Sequence, residues 1–256
     1  MRALLLATSL AALSLAACGD SAAPPPTSKV SLGSATAGGY TVELFADEAL
    51  GTGLNAVHAR VTSGGTGAAV TDAAVAIVPM MDMGTMQHSC PVSGPMAWDA
   101  SVALYGANLV FQMAGTWTAT VTVTRPATPP VDVAFPSLPV VDTGCAKTFT
   151  VAMAKYVLSM NYVTPPVVGL NPILVTLHST TDMGMTFAPV DDASFALDPQ
   201  MPSMGHGSPG SVAPTLVADG VYQGQLSFNM RGDWETTVAV TRGGVTLAAP
   251  KFLTTF

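Results

Sequence analysis

Charge is what this chain has least of. Only 10% of its 256 residues are Asp, Glu, Lys or Arg, and 9 basic residues against 16 acidic ones leave a formal net charge of −7. Nucleic acids and acidic lipid headgroups are held by clustered cationic side chains, so both drop out as partners. No long amphipathic helix is visible, which removes helical architectures. The phrases that mark common catalysts are missing too. There is no G-x-S-x-G elbow, no HExxH pair and no phosphate-cradling glycine loop, and the glycines of GSATAGG stand in no strand-to-helix context. The chain is therefore read as non-enzymatic.

What it has instead is glycine and proline, 24 and 20 of them, punctuating short runs rich in β-branched residues. YTVELF (40–45), TATVTVT (118–124), TFTVAMA (148–154) and TTVAVT (236–241) alternate as half-buried strands do. An all-β fold is expected.

The chain also repeats itself. GLN at 53–55 returns at 169–171, and FQMAGTWTATVTVTR (111–125) returns as FNMRGDWETTVAVTR (228–242). Met113 and Met230, like Trp117 and Trp234, stand 117 residues apart. A tandem duplication is the reading, with a first unit over 39–126, a Pro-rich linker over 127–146 and a second unit over 147–256. Units near 100 residues, with turn signals every ten or so, point to two immunoglobulin-like antiparallel β-sandwiches. Propellers and solenoids need more copies.

Before the repeats come Met1, Arg2 and the apolar run LLLATSLAALSLAA, too short to cross a bilayer and shaped like a secretory signal. It closes on LAAC, which resembles the lipobox of bacterial lipoproteins. That resemblance implies cleavage after residue 17, a lipid on Cys18 and residence outside the cytoplasm, anchored to a bacterial membrane. Residues 18–38, rich in Pro, Ser, Gly and Ala, are read as a flexible tether.

One phrase in each unit looks like neither strand nor core. The first reads MMDMGTMQHSCP (80–91) and the second MPSMGHGSP (201–209), so Met80 aligns with Met201, Met83 with Met204 and His88 with His206. Thioether sulfur is soft and uncharged and binds Cu(I), while imidazole serves both copper oxidation states. Zinc and calcium sites call for more His, Cys or carboxylate than these loops supply. Candidate copper ligands are Met201, Met204, His206 and Met230 in the second unit, and Met80, Met83, Met86, His88 and Met113 in the first. Each could equally be packing: Met113 and Met230 share a strand face with Phe111 and Phe228, and methionine fills irregular gaps in cores. Met183 and Met185, with His178, form a further group for which packing is the simpler account.

MPSMGHG followed by VADGVYQGQLSFNMRGDWETTVAV (217–240) resembles the YtkA-like domain, a relative of the FixH group. The resemblance covers about 165–245 well. Over 53–125 it is looser, because MDMGTMQHS carries two extra residues and no tyrosine-led strand of the same form. It implies an extracytoplasmic β-sandwich associated with copper handling, and the partners expected of that role are a copper-requiring oxidase subunit or a copper exporter.

With Cys18 lipidated, Cys90 and Cys145 remain as an even pair in an oxidising compartment, and a disulfide between them is expected. The competing role for Cys90, two residues after His88, is thiolate ligation. Two readings stay open for the whole chain, a copper-binding envelope lipoprotein and a structural or interaction module without metal.

Overall fold

A computed structural model describes residues 29–256. The signal segment and Cys18 lie outside the described residues. Within them the chain is all strand and turn, and no helix is long and apolar enough to cross a membrane.

The first unit is built from β1 (Val30–Ala37), β2 (Tyr40–Ala46), β3 (Gly53–Ser63), β4 (Ala74–Asp82), β5 (Gln87–His88), β6 (Ala97–Asp99), β7 (Leu104–Phe111), β8 (Gly115–Thr124) and β9 (Val131–Val140). They form two antiparallel sheets, ordered β1-β2-β3-β7-β6 and β5-β4-β8-β9. The second unit contains β10 (Ala146–Val151), β11 (Ala154–Tyr162), β12 (Gly169–Thr180), β13 (Ala188–Pro189), β14 (Ala193–Met201), β15 (His206–Gly207), β16 (Val212–Ala218), β17 (Val221–Phe228), β18 (Asp233–Arg242), β19 (Val245–Ala248) and β20 (Lys251–Thr255). Its sheets run β10-β11-β12-β17-β16 and β15-β14-β18-β19, with β13 on β12 and β20 on β18. Each unit is an immunoglobulin-like sandwich. Alternation along β8 and β18 sends Trp117, Val121 and Val123 into one core and Trp234, Val238 and Val240 into the other.

The repeated residues do the same jobs twice. Asn55 Nδ2 donates to the carbonyls of Gly51 and Gly53 while its Oδ1 accepts from Gly51 N; Asn171 does so with Val167 and Gly169. Each asparagine thus closes the turn that feeds its strand. The indole N–H of Trp117 donates to the Met113 carbonyl at 3.2 Å, and that of Trp234 to Met230 at 3.1 Å.

Three expectations are corrected. The tether is shorter than read from composition, because Val30–Ala37 forms β1, paired with β2 through the two-residue turn Gly38–Gly39. Both glycines have positive φ, which a two-residue hairpin requires. The Pro-rich linker is not a linker over most of its length. Val131–Val140 is β9, burying Val133, Phe135, Leu138 and Val140. Its prolines are tolerated because β9 is an edge strand, with Pro136 at the irregularity between the Trp117 and Ala119 pairs. Lastly, the first unit does have a tyrosine-led strand. Tyr105 in β7 matches Tyr222 in β17, their hydroxyls accepting from Ala73 N and Ala193 N at 3.1 and 3.2 Å.

The units touch along a seam. Leu54 N donates to Asn161 Oδ1 at 2.9 Å, and Ser89 N donates to the Gly184 carbonyl at 2.8 Å. A cleft of about 580 Å³ opens beside it, lined by Asp47, Asn55, Cys145, Asn161 and Tyr162 among others.

If β9 is core, Phe135→Ala will cost about 3–5 kcal/mol in denaturant unfolding, as a buried aromatic truncation does. A linker residue would cost almost nothing, so an unchanged midpoint rejects this placement.

Candidate metal centre

Each Met/His phrase is the closed end of a hairpin. Met81 in β4 pairs with His88 in β5, and Met201 in β14 pairs with His206 in β15. Directly opposed residues of an antiparallel pair put their side chains on one face with Cβ atoms about 4.5–5.5 Å apart, so the duplicated feature is a methionine and a histidine side by side. This corrects the alignment of Met80 with Met201. A hairpin lengthens by one residue on each strand, so the two extra residues of the first copy divide between its arms and Met81 takes the place of Met201. Met80 alternates to the other face, and its carbonyl accepts from Thr118 Oγ at 3.2 Å.

Met81 and Met201 are buried and lie under Gly115 and Gly232, both at positive φ. A Cβ on either glycine would collide with the methionine Cε. These two thioethers are core-facing, whereas Met83, Met86 and Met204 sit on the hairpin turns with their side chains largely in solvent. Met113 is half-buried against the first core, and Met230 is 37% exposed.

The imidazoles are oriented alike. His88 Nδ1 donates to the carbonyl of Ser89 at 2.9 Å, and His206 Nδ1 to that of Gly207 at 3.2 Å. Both rings stand edge-on to tryptophan, 5.2 Å from Trp117 and 6.0 Å from Trp234. Tying Nδ1–H to a backbone carbonyl fixes the tautomer and leaves Nε2 as the lone pair, the arrangement usual for metal-ligating histidines. Neither Nε2 has a hydrogen-bond partner among the described residues. Gln112 Nε2 lies 2.9 Å from both His88 Nδ1 and the Ser89 carbonyl, while its buried Oε1 has no partner. Access separates the copies. His88 is 5% exposed beneath the Gly184 turn, and His206 is half-buried at an open end.

No group of three or more His, Cys, Asp or Glu placed to hold a metal occurs among the described residues. A metal here would rest on thioether and one imidazole, a donor set that fits Cu(I) in the second unit, where Met204, His206 and Met230 come from neighbouring turns.

The expected disulfide is absent; Cys90 and Cys145 are both free thiols. Cys90 points into the first core, while Cys145 lies in the seam, its Cβ beside Gly53. Burial also pushes the Cys90 thiol well above its ordinary pKa. In the second copy its place is taken by Ser208, likewise buried.

The YtkA-like family matches residues 34–122 and 156–239, more than half of the chain. The chain belongs to the YtkA-like family. The two matched segments are the two sandwiches, so the duplication is of a whole YtkA-like domain. No curated protein matches in sequence. Among solved structures, the Escherichia coli adhesin FdeC is similar at 16% identity and a TM-score of 0.29, over 84% of this chain and 63% of that one. The D0-D1 domain of intimin is similar at 14% and 0.27, over 87% and 100%. Domains 5-6 of the S-layer protein SbsC stand at 12% and 0.30, over 89% and 99%. The chain spans under two thirds of the FdeC structure, and scores this low carry no argument about this chain.

Reading the sequence missed Met81 and Gln112. Met81 was hidden by the adjacent Met80, and strand register alone separates them. Gln112 had a signal, as it sits between Phe111 and Met113 in the repeated strand end, opposite Asn229.

Two outcomes follow from the cysteines and from His178. Unfolded protein should show two reactive thiols beyond any at Cys18 without reductant, and folded protein only Cys145; a thiol count that rises on adding reductant would restore the disulfide. His178 is buried with Nδ1 unpartnered, and desolvation lowers its pKa from 6.5 to about 4 despite Asp191 and Asp219 nearby. The folded state therefore disfavours the charged ring. Its contribution is fully present above pH 6.5 and is lost as pH falls toward 4, by at most about 3 kcal/mol. Unfolding free energy measured from pH 7 to 4 should fall accordingly, and His178→Gln should flatten the slope.

Proposed function

We propose that the chain is a non-catalytic binding module of the bacterial cell envelope, in which two YtkA-like sandwiches present the free end of the second unit to another envelope protein. One observation carries this reading. Val167, Val168, Leu170 and Met204 crowd that end, each more than half exposed, with Met230 beside them. At the matching end of the first unit the positions are covered, since Leu54 exchanges hydrogen bonds with Asn161 and Thr52 is held by Asp142 and Thr143. A surface that is sealed in one copy and bare and apolar in the other is a contact surface awaiting its partner. Lipid on Cys18 would hold the module at the membrane.

The test is a photocrosslinking residue at Val168 in living cells. It should give one defined adduct with an envelope protein, lost with Val167→Lys plus Leu170→Lys while the melting temperature holds within a few degrees. Adducts that ignore the two lysines would reject this surface.

A second reading, Cu(I) binding at the same end, is favoured by the exposed Met204 in the turn before His206, by the partly exposed Met230, and by the imidazole whose Nδ1 is already engaged. The module would then hold copper for an oxidase subunit or an exporter. Met204→Leu with His206→Ala should abolish competition with a cuprous chelator without loss of fold, because Leu matches Met in volume. Wild-type protein that never competes removes the copper reading and leaves the first untouched.

A further inference from the structure

The covered end of the first unit is more than a packing seam. Two turns from different units meet there, and both are rich in methionine. The β4–β5 turn is closed by Met83 N donating to the Met86 carbonyl at 2.9 Å, and it delivers His88 two residues later. The turn after β12 is held rigid by Asp182, whose carboxylate accepts from Met185 N, Thr186 N and Thr186 Oγ; these bonds keep its carboxyl far below the usual carboxylate range. At its apex Gly184, at φ +89, lies so close to His88 that a Cβ there would stand 3.3 Å from the His88 Cβ. The Gly184 carbonyl takes the Ser89 N–H.

Met183 and Met185 flank that glycine, so their backbones are one residue from the contact. Along with Met83 and Met86 they are 44–76% exposed. Four unbranched apolar side chains kept in water on the two turns that meet beside His88 are poor packing, since burial would stabilise each of them. Met183 also sits at φ +61, in the left-handed region that favours glycine. The histidine is itself prepared as a donor, with Nδ1 tied to Ser89, Nε2 unpartnered, and the buried, orphaned Gln112 Oε1 at its side.

We propose that this junction is a second soft-metal site, in which His88 and methionines of the first hairpin are completed by Met183 or Met185 of the second unit, taking a monovalent soft cation such as Cu(I) or Ag(I). The site requires both units, and metal there would fasten the seam. Thioethers are neutral at all working pH, so capture needs no proton release from them.

This inference rests on the soft-metal reading above, and the experiment separates the two. Full-length protein carrying methyl-labelled methionine is titrated with Ag(I), a redox-inert probe. About two ions per chain are expected, with methyl shifts at Met83, Met86, Met183 and Met185 forming one set and Met204 and Met230 another. Met183→Leu with Met185→Leu should lower the stoichiometry to about one and silence the Met83 and Met86 shifts, with melting unchanged because volume is kept. Met204→Leu with His206→Ala should remove only the other set. One ion in wild type, lost with the Met204 and His206 changes and indifferent to those at Met183 and Met185, would overturn the junction site alone. No uptake at all would overturn it together with the copper reading.

Discussion

Each sandwich is organised around a tryptophan that cannot be placed without its hydrogen bond. Trp117 and Trp234 are fully buried, and a buried indole N–H left unpaired would cost about 1–3 kcal/mol. Both solve this by donating to the carbonyl four residues earlier, at Met113 and Met230. That bond shapes the turn into β8 and β18. It places Gly115 and Gly232 at positive φ, where the missing Cβ leaves room for the methyl of Met81 or Met201, and it gives the neighbouring imidazole an aromatic edge to lean on. The Met/His end of each unit is a consequence of how its tryptophan is satisfied.

The duplication then produces two different ends from one plan. In the first unit the second unit's Gly184 turn closes over His88, and Asn161 takes both polar groups of Leu54. In the second unit nothing among the described residues performs that role, and valine, leucine and methionine stay exposed. Similar local chemistry therefore ends at an inter-unit junction in one copy and at an exposed apolar end in the other. The difference lies in neighbours and not in ligands.

Much of the fold was legible because strands announce themselves through alternation and because a chain that copies itself exposes which residues matter to its own architecture. GLN and Gly-x-Trp recur because each makes a specific backbone hydrogen bond, and so does the tyrosine pair Tyr105 and Tyr222, which only the structure aligned. Composition misled at the edges. Val30–Ala37 is too polar, and Val131–Val140 too rich in proline, to look like sheet, yet edge strands bury one face and need only half their backbone paired.

From its residues alone this protein was determined to be all-β, duplicated, poor in charge and endowed with two methionine-histidine phrases between strands. Those are properties of periodicity and composition, which are local and survive without knowledge of neighbours. Tertiary structure decided that Met81 and not Met80 stands beside His88, since a slip of one residue moves a side chain to the opposite face. It decided that Cys90 and Cys145 remain thiols, since one points into a core and the other into a seam. It also decided that the Gly184 turn lies against a histidine almost a hundred residues away, because only the docking of one sandwich on the other brings those turns together.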